Sequence, residues 1–244
     1  MKDIKAETMS FPNGVQACLL QVPGDASARQ ILDVLAIPDP RAVLILNGGT
    51  AHIEEGLQAK LARTLGDGLA RVIAEERITV VTGGTDAGIF SLLGQGLARW
   101  RRTAPCLGVA VAGLVIRPDH PQGEAYLEPN HSHFVLVEGQ NWGDETEIMY
   151  RLVAALVEAC PSVAVFAGGG GITLREMEAN VHQGRGMIFL AGSGRNTDAV
   201  LAVRQGQRSE DERLVEIAEQ GQITPFAIDQ DPRALRDLVR RSLL

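Results

Sequence analysis

Three kinds of residue pattern are scarce in this chain, and each absence removes a class of protein. Cysteine is rare: Cys18, Cys106 and Cys160 stand far apart, are odd in number and form no C-x-x-C pair. A disulfide framework or a zinc ribbon is therefore not expected, and buried reduced thiols in a cytoplasmic protein are. Basic residues are outnumbered, 23 Lys and Arg against 30 Asp and Glu, which gives a formal charge of −7. A non-specific nucleic-acid binder needs the opposite field, so nucleic acid is not an expected partner. Long apolar runs are missing. No stretch reaches the ~18 uninterrupted apolar residues of a membrane span, and the opening MKDIKAETMSFPNG lacks the apolar centre of a signal peptide. No membrane partner is expected.

What is present is ordinary globular material, 45% hydrophobic and 22% charged over 244 residues, together with 27 glycines. Short apolar runs alternate with helical spacing. VQACLLQV, AVLILNGGT, ITVVTGGT, CLGVAVAG, SHFVLVEG, SVAVFAGGGG, GMIFLAGSG and ITPFAI read as strands. Helices are expected from Ser27, from Leu57 to Ile73, over Ala87–Trp100 and around Ile148–Ala159. Further helices are expected after the tetraglycine, over Thr197–Val203, in DERLVEIAEQG and at the C-terminal PRALRDLVRRSLL. Asp144 with Glu147 reads as a capping box for the helix that holds Ile148. Strands without polar alternation are buried on both faces. The expectation is one α/β domain over residues 1–244: a Rossmann-like, doubly wound, mostly parallel sheet with helices on both faces. No Pro/Ser-rich linker interrupts it, and the irregular RPDHPQGEAYLEPNH (Arg117–His131) is expected to lie over the top of the sheet.

Four of the strand-like runs end in glycine turns: NGGT, TGGTDAG, AGGGGIT and AGSGR. In a parallel sheet these turns share one edge, the edge where ligands bind, and each opens a helix whose free N–H groups and positive dipole end attract an anion. Gly48, Gly49, Thr50, Gly83, Gly84, Thr85, Gly168, Gly169, Gly170, Gly171, Thr173, Gly192, Ser193 and Gly194 are the candidate cradle for a phosphate-bearing, nucleotide-type ligand. Asp86 is a candidate for a ribose hydroxyl or a support for its own helix. Neither G-x-x-x-x-G-K-[ST] nor G-x-G-x-x-G with its distant acid is present, which disfavours an ordinary ATPase or NAD dehydrogenase.

VVTGGTDAG, EPNHSHFVLVEG, EIMYRL, FAGGGGITLRE and FLAGSGRNTDAVL fall in the order seen in the SLOG superfamily. More narrowly they resemble its LSDAT branch, whose eukaryotic members form the cytosolic N-terminal domain of TRPM cation channels. The resemblance spans roughly Ala42 to Val203. It implies a Rossmann-like fold that binds nucleotide-derived small molecules, with ADP-ribose-like compounds the leading class. It also implies that Arg195 in GSGRNTD and Arg151 in EIMYRL hold phosphates. Arg195 independently follows a glycine turn, and its planar fork suits bidentate phosphate binding.

A related SLOG branch, the LOG phosphoribohydrolases, carries P-G-G-x-G-T-x-x-E and cleaves the N-glycosidic bond of nucleoside monophosphates. Here Thr173 and Glu176 keep the T-x-x-E spacing, Ala167 replaces the proline, and Ile172 is inserted before the threonine. Glu176 thus has three readings: a capping partner of Thr173, a ligand for a ribose hydroxyl, or a catalytic carboxylate in glycosidic cleavage. His131 and His133 lie two apart, with Asp119 and His120 upstream, and a structural or ligand-facing role is expected over a metal site. Trp142 and Tyr126 are candidates to stack on a purine, with packing the default. Three functions stay open: a nucleotide-derivative binder or sensor, a phosphoribohydrolase, and an interaction module with a vestigial pocket. A homo-oligomer is compatible with each.

Overall fold

The computed structural model describes residues 5–50, 53–117 and 120–244. Its centre is β3 (Val43–Gly48), every residue of which is buried up to Asn47. Alternate side chains go to opposite layers. Val43 and Ile45 join a core with α1 (Ala28–Val34), α5 (Thr146–Leu156), α6 (Gly171–His182), α7 (Arg195–Arg204) and α8 (Glu212–Gln220). Leu44 and Leu46 join a second core with α2 (Glu55–Arg63), α3 (Arg71–Glu76), α4 (Gly88–Arg99) and α9 (Pro232–Leu243).

To one side of β3 lie β4 (Thr79–Thr82) and β5 (Cys106–Val111). To the other lie β9 (Ser162–Ala167), β10 (Gly186–Ala191) and β11 (Ile223–Ala227), all parallel. The chain thus winds outward from β3 in both directions, and the reversal falls between β3 and β9. Beyond β5 the sheet continues through β8 (His133–Val137) and β2 (Gln16–Val22), also parallel, and ends on β1 (Glu7–Ser10), antiparallel to β2. The doubly wound, mostly parallel sheet is the expected architecture. No helix among the described residues is long and apolar enough to cross a membrane.

Local pattern did not announce β1, a short and mostly exposed edge. Nor did it announce the small parallel pair of β6 (Val115–Ile116) and β7 (Ala125–Tyr126) in the irregular loop. The helical spacing from Leu57 to Ile73 is interrupted by a π-helical segment at Thr64–Ala70. There the Gly66 carbonyl accepts from the Trp100 indole at 2.9 Å. A Cβ on Gly96 of α4 would stand 2.9 Å from the Gly66 Cα, so small residues bring the two helices together. The expected Asp144–Glu147 capping box does not form. The Asp144 carboxylate instead accepts from the backbone of Gln140 and Asn141, closing the loop before α5, whose N-cap is the uncapping Glu145.

The β3 and β9 ends approach each other so closely that Gly48, at φ +145°, would put an added Cβ 2.0 Å from the Ala167 carbonyl oxygen. Gly170, in ordinary backbone, would put one in open space. Gly48→Ala is therefore expected to cost about 2 kcal/mol or more of stability. Gly170→Ala stays within about 1 kcal/mol of wild type. Urea denaturation of the two variants side by side measures this; equal stabilities would contradict the packing described.

Candidate functional site

All four glycine turns leave the C-terminal edge of the sheet, as parallel strands require. Three of them, together with Arg195 at the end of the fourth, wall a cleft of about 420 Å³ at the β3/β9 reversal. From the sequence-derived set it is lined by Gly48, Gly49, Thr50, Gly83, Thr85, Gly170, Gly171, Thr173, Glu176 and Arg195. The loop before β8 crosses this edge as expected: Leu127 bridges Thr85, and the Glu128 amide donates to the Gly84 carbonyl at 2.9 Å. Through that crossing Glu124 and Ala125 reach the cleft, and the loop before α5 adds Trp142 and Glu145.

Several predicted cradle residues do not line it, because their polar groups are already engaged. The Gly168 amide donates to Ser193 Oγ at 2.9 Å, and the Gly168 carbonyl accepts from Thr197 Oγ1 at 2.8 Å. Gly169, at φ +88°, lies so close to Thr173 that an added Cβ would be 2.3 Å from its hydroxyl oxygen. The amides of Gly192 and Gly194 donate to the Asp198 carboxylate at 2.8 and 2.7 Å. The chain's own anion thus occupies the expected anion cradle after β10. Gly84, whose amide donates to Thr82 Oγ1, packs on Gly108 of β5. Asp86 is exposed outside the cleft, its amide bonded to the Tyr126 carbonyl at 2.7 Å. Arg151 is turned away. Its guanidinium donates to the Gly24 carbonyl and to that of Ala26 at 3.5 Å, which ties α5 to the loop before α1.

What remains free is the start of α6. Its N-cap is Gly170 and no side chain caps it, so the first amides of the helix face the cleft without partners from their own helix. Beside them stands Arg195, exposed, at φ +52°, in a backbone conformation that non-glycine residues seldom adopt. Among the described residues no ion pair holds its guanidinium.

The other wall is acidic. Glu176 is 8% exposed and is not a cap for Thr173. Burial, and then the nearby Glu145, push its carboxyl up to about 8, against a smaller opposing pull from Arg175. Glu176 is therefore largely a neutral acid at pH 7. The Glu145 carboxyl accepts from the Gly143 amide at 2.7 Å and is also raised, chiefly by burial. Glu124 accepts from the Trp142 indole N–H at 2.8 Å, so the two loops are bridged across the cleft mouth. Trp142 is thus a wall of the cleft, whereas Tyr126 is 65% exposed beside it.

Sequence reasoning missed Glu145, Glu124, Ala87, Phe90, Ala125 and Ile172 as lining residues. Glu145 had one available signal, an acid beside Asp144 at a helix start on the ligand edge. Glu124 had none, since its loop has no period. The two histidines go separate ways. His131 is fully buried, with Nδ1 2.7 Å from Glu128 Oε2 and Nε2 2.7 Å from Thr82 Oγ1. Burial alone would lower its pKa, but Cys106 and Glu128 more than offset that and hold it up to about 9. This pair pins the crossing loop to β4. His133 faces Ser132 Oγ at 2.8 Å. Among the described residues no group of three or more His, Cys, Asp or Glu is placed to hold a metal ion, and Asp119 lies outside them.

The buried acid has a measurable consequence. Between the usual 4.5 and about 8 the folded chain holds a proton on Glu176 that the unfolded chain has lost. Stability therefore falls as pH rises through that window, by up to about 1.4 kcal/mol per pH unit from this group. Glu176→Gln removes that slope, so its stability gain over wild type grows with pH in urea titrations. Parallel profiles would refute the buried-acid assignment.

A family model described as "SLOG in TRPM, prokaryote" matches residues 41–236. The chain is 25% identical over 239 residues to a transient receptor potential channel of Caenorhabditis elegans, covering 82% of this chain and 12% of that protein. It is 24% identical over 203 residues to transient receptor potential cation channel subfamily M member 2 of Mus musculus, covering 67% and 13%. For member 7 of the same subfamily in Homo sapiens the figures are 24% over 214 residues, 74% and 11%. The chain thus spans between 11% and 13% of the length of these curated relatives.

Proposed function

This chain belongs to the prokaryotic SLOG-in-TRPM family, and we propose that it binds a phosphate-bearing nucleotide derivative in the cleft between β3 and β9. The ligand class is ADP-ribose- or NAD-like, or a nucleoside phosphate. One observation carries the reading: the uncapped N-terminus of α6 and Arg195, which no ion pair among the described residues holds, converge on the same cleft. Free helix amides and a guanidinium fork are complementary to phosphate oxygens. The cleft volume is in the range of small-ligand sites, and its place at the strand-order reversal is where open α/β sheets bind ligands.

The acidic wall would repel an anion if all its carboxyls were ionised. Glu176 is neutral below about pH 8, which removes one of those charges. The phosphates lie toward Arg195 and α6, and the uncharged part of the ligand lies toward Glu145 and Glu176. The unpaired state of Cys18, Cys106 and Cys160 fits a reducing compartment, which we take to be the cytoplasm.

A second reading has its own support. A protonated, buried glutamic acid beside a second carboxyl is the arrangement that serves as a general acid in glycosidic cleavage. On that reading Glu176, which the spacing Thr173-x-x-Glu176 marked as a candidate catalytic carboxylate, protonates the departing base of a nucleoside monophosphate while water takes the anomeric carbon.

Two outcomes are expected. Arg195→Ala weakens calorimetric binding of a nucleoside diphosphate by about 1.5–3 kcal/mol while the fold is kept; unchanged affinity would rule out the phosphate role. Wild-type affinity also falls as pH is raised through about 8, and that fall is absent in Glu176→Gln. For the second reading the measurement is release of free base from a nucleoside monophosphate. We expect little or none. A clear turnover that Glu176→Gln abolishes at unchanged affinity would make this chain a hydrolase.

A further inference from the structure

The chain buries the carboxyl of Glu176 and gives it no partner. The residue is 8% exposed and lines the cleft. Among the described residues no hydrogen bond reaches its carboxyl; Glu145 and Arg175 act on it only as charges. Native structures keep few buried polar groups in that condition. The open side of this one is the cleft, so its missing partner comes from what the cleft binds.

The two neighbouring carboxyls differ in what they offer. Burial and Glu145 keep Glu176 a neutral acid up to about pH 8. It therefore presents one O–H donor and one carbonyl acceptor side by side. Glu145, the N-cap of α5, also lines the cleft. Its carboxyl accepts from its own amide and from that of Gly143, which fixes it as the acceptor of the pair. Together the two residues offer one donor and two acceptors. The complementary group has one acceptor and two donors, and an NH₂ beside an acceptor atom meets that description. On nucleotides this pattern occurs as the carboxamide of nicotinamide and as the amino edge of adenine or cytosine. An oxo base or a carboxylate puts oxygen where the NH₂ would stand and lacks the second donor.

We propose that Glu176 and Glu145 together recognise an exocyclic NH₂ beside an acceptor on the ligand's base. The Glu176 O–H donates to the acceptor atom. The NH₂ donates one hydrogen to the Glu176 carbonyl oxygen and the other to Glu145. This rests on the nucleotide reading above and adds which bases the acidic wall accepts.

Calorimetry with three pairs of nucleoside 5′-monophosphates tests this, each pair exchanging the amino nitrogen for oxygen. The pairs are adenosine and inosine monophosphate, cytidine and uridine monophosphate, and nicotinamide and nicotinic acid mononucleotide. At pH 7 wild type is expected to prefer the amino member of at least one pair by about tenfold or more, and that pair identifies the base. Glu176→Ala brings its two members to within about twofold of each other. Glu176→Gln still presents an N–H donor beside a carbonyl acceptor, so it keeps the preference. In wild type the preference declines as pH is raised through about 8, and in Glu176→Gln it does not. Glu145 and Tyr150 from the α5 side and Arg175 on α6 are the titratable or charged groups acting on Glu176, and the Tyr150 phenol is held well above that range by burial. The pH profile of Glu176→Gln gives a reading even if Glu176→Ala does not fold. The inference is overturned if nucleotides bind and no pair is discriminated, if the preference survives in folded Glu176→Ala, or if Glu176→Gln loses it. If none of the six nucleotides binds wild type, the nucleotide reading falls and this inference with it.

Discussion

Everything at the candidate site depends on how closely the ends of β3 and β9 approach each other. The Gly48 position leaves no room for a Cβ against the Ala167 carbonyl, and the Gly169 position leaves none against Thr173. Because those atoms are missing, two strand ends and the start of α6 meet within one small space. The strand order reverses at this point, so no crossover helix covers the gap. A cleft follows from the winding of the sheet, and the glycines let the backbone reach its walls.

Most of the glycine-rich backbone serves structure rather than ligand. Ser193 and Thr197 clasp Gly168, Asp198 occupies the amides after β10, and Thr82 holds Gly84. These contacts satisfy donors that a buried turn cannot leave unpaired. They also make the remaining free donors few and well placed. Gly170 and Gly171, with open space where a side chain would be, begin a helix that its own chain does not cap. Anion complementarity is thereby concentrated at one helix end and one arginine.

The cleft is asymmetric in charge. Arg195 and the α6 amides define a positive wall, and Glu124, Glu145 and Glu176 define an acidic one. Burial of Glu176 moderates that asymmetry by keeping one acid neutral near pH 7, at a cost in stability that grows with pH. A group held this way is a donor as well as an acceptor, which suits contact with hydroxyl groups or with a departing base. The bridge from Trp142 to Glu124 closes the mouth over that wall.

The sequence by itself determined the alternation of strands and helices, the parallel sheet and the shared edge of the four glycine turns. Each of these follows from local period and turn chemistry, which act within a few residues. Arg195 and Glu176 were legible for the same reason, as residues next to turns whose edge was already known. Tertiary structure alone decided which turns face the cleft. Arg151 was a candidate from its block alone, with no glycine turn beside it, and a carbonyl at Gly24, distant in sequence, draws it away. Thr173 and Glu176 have capping-box spacing, yet the packing of α6 against α5, where Asn180 meets Tyr150, buries the acid instead. Glu124 has no local signature, because its meaning comes from neighbours on other strands and helices. Long-range packing sets burial, burial sets charge state and unmet hydrogen bonds, and no short stretch of chain carries that information.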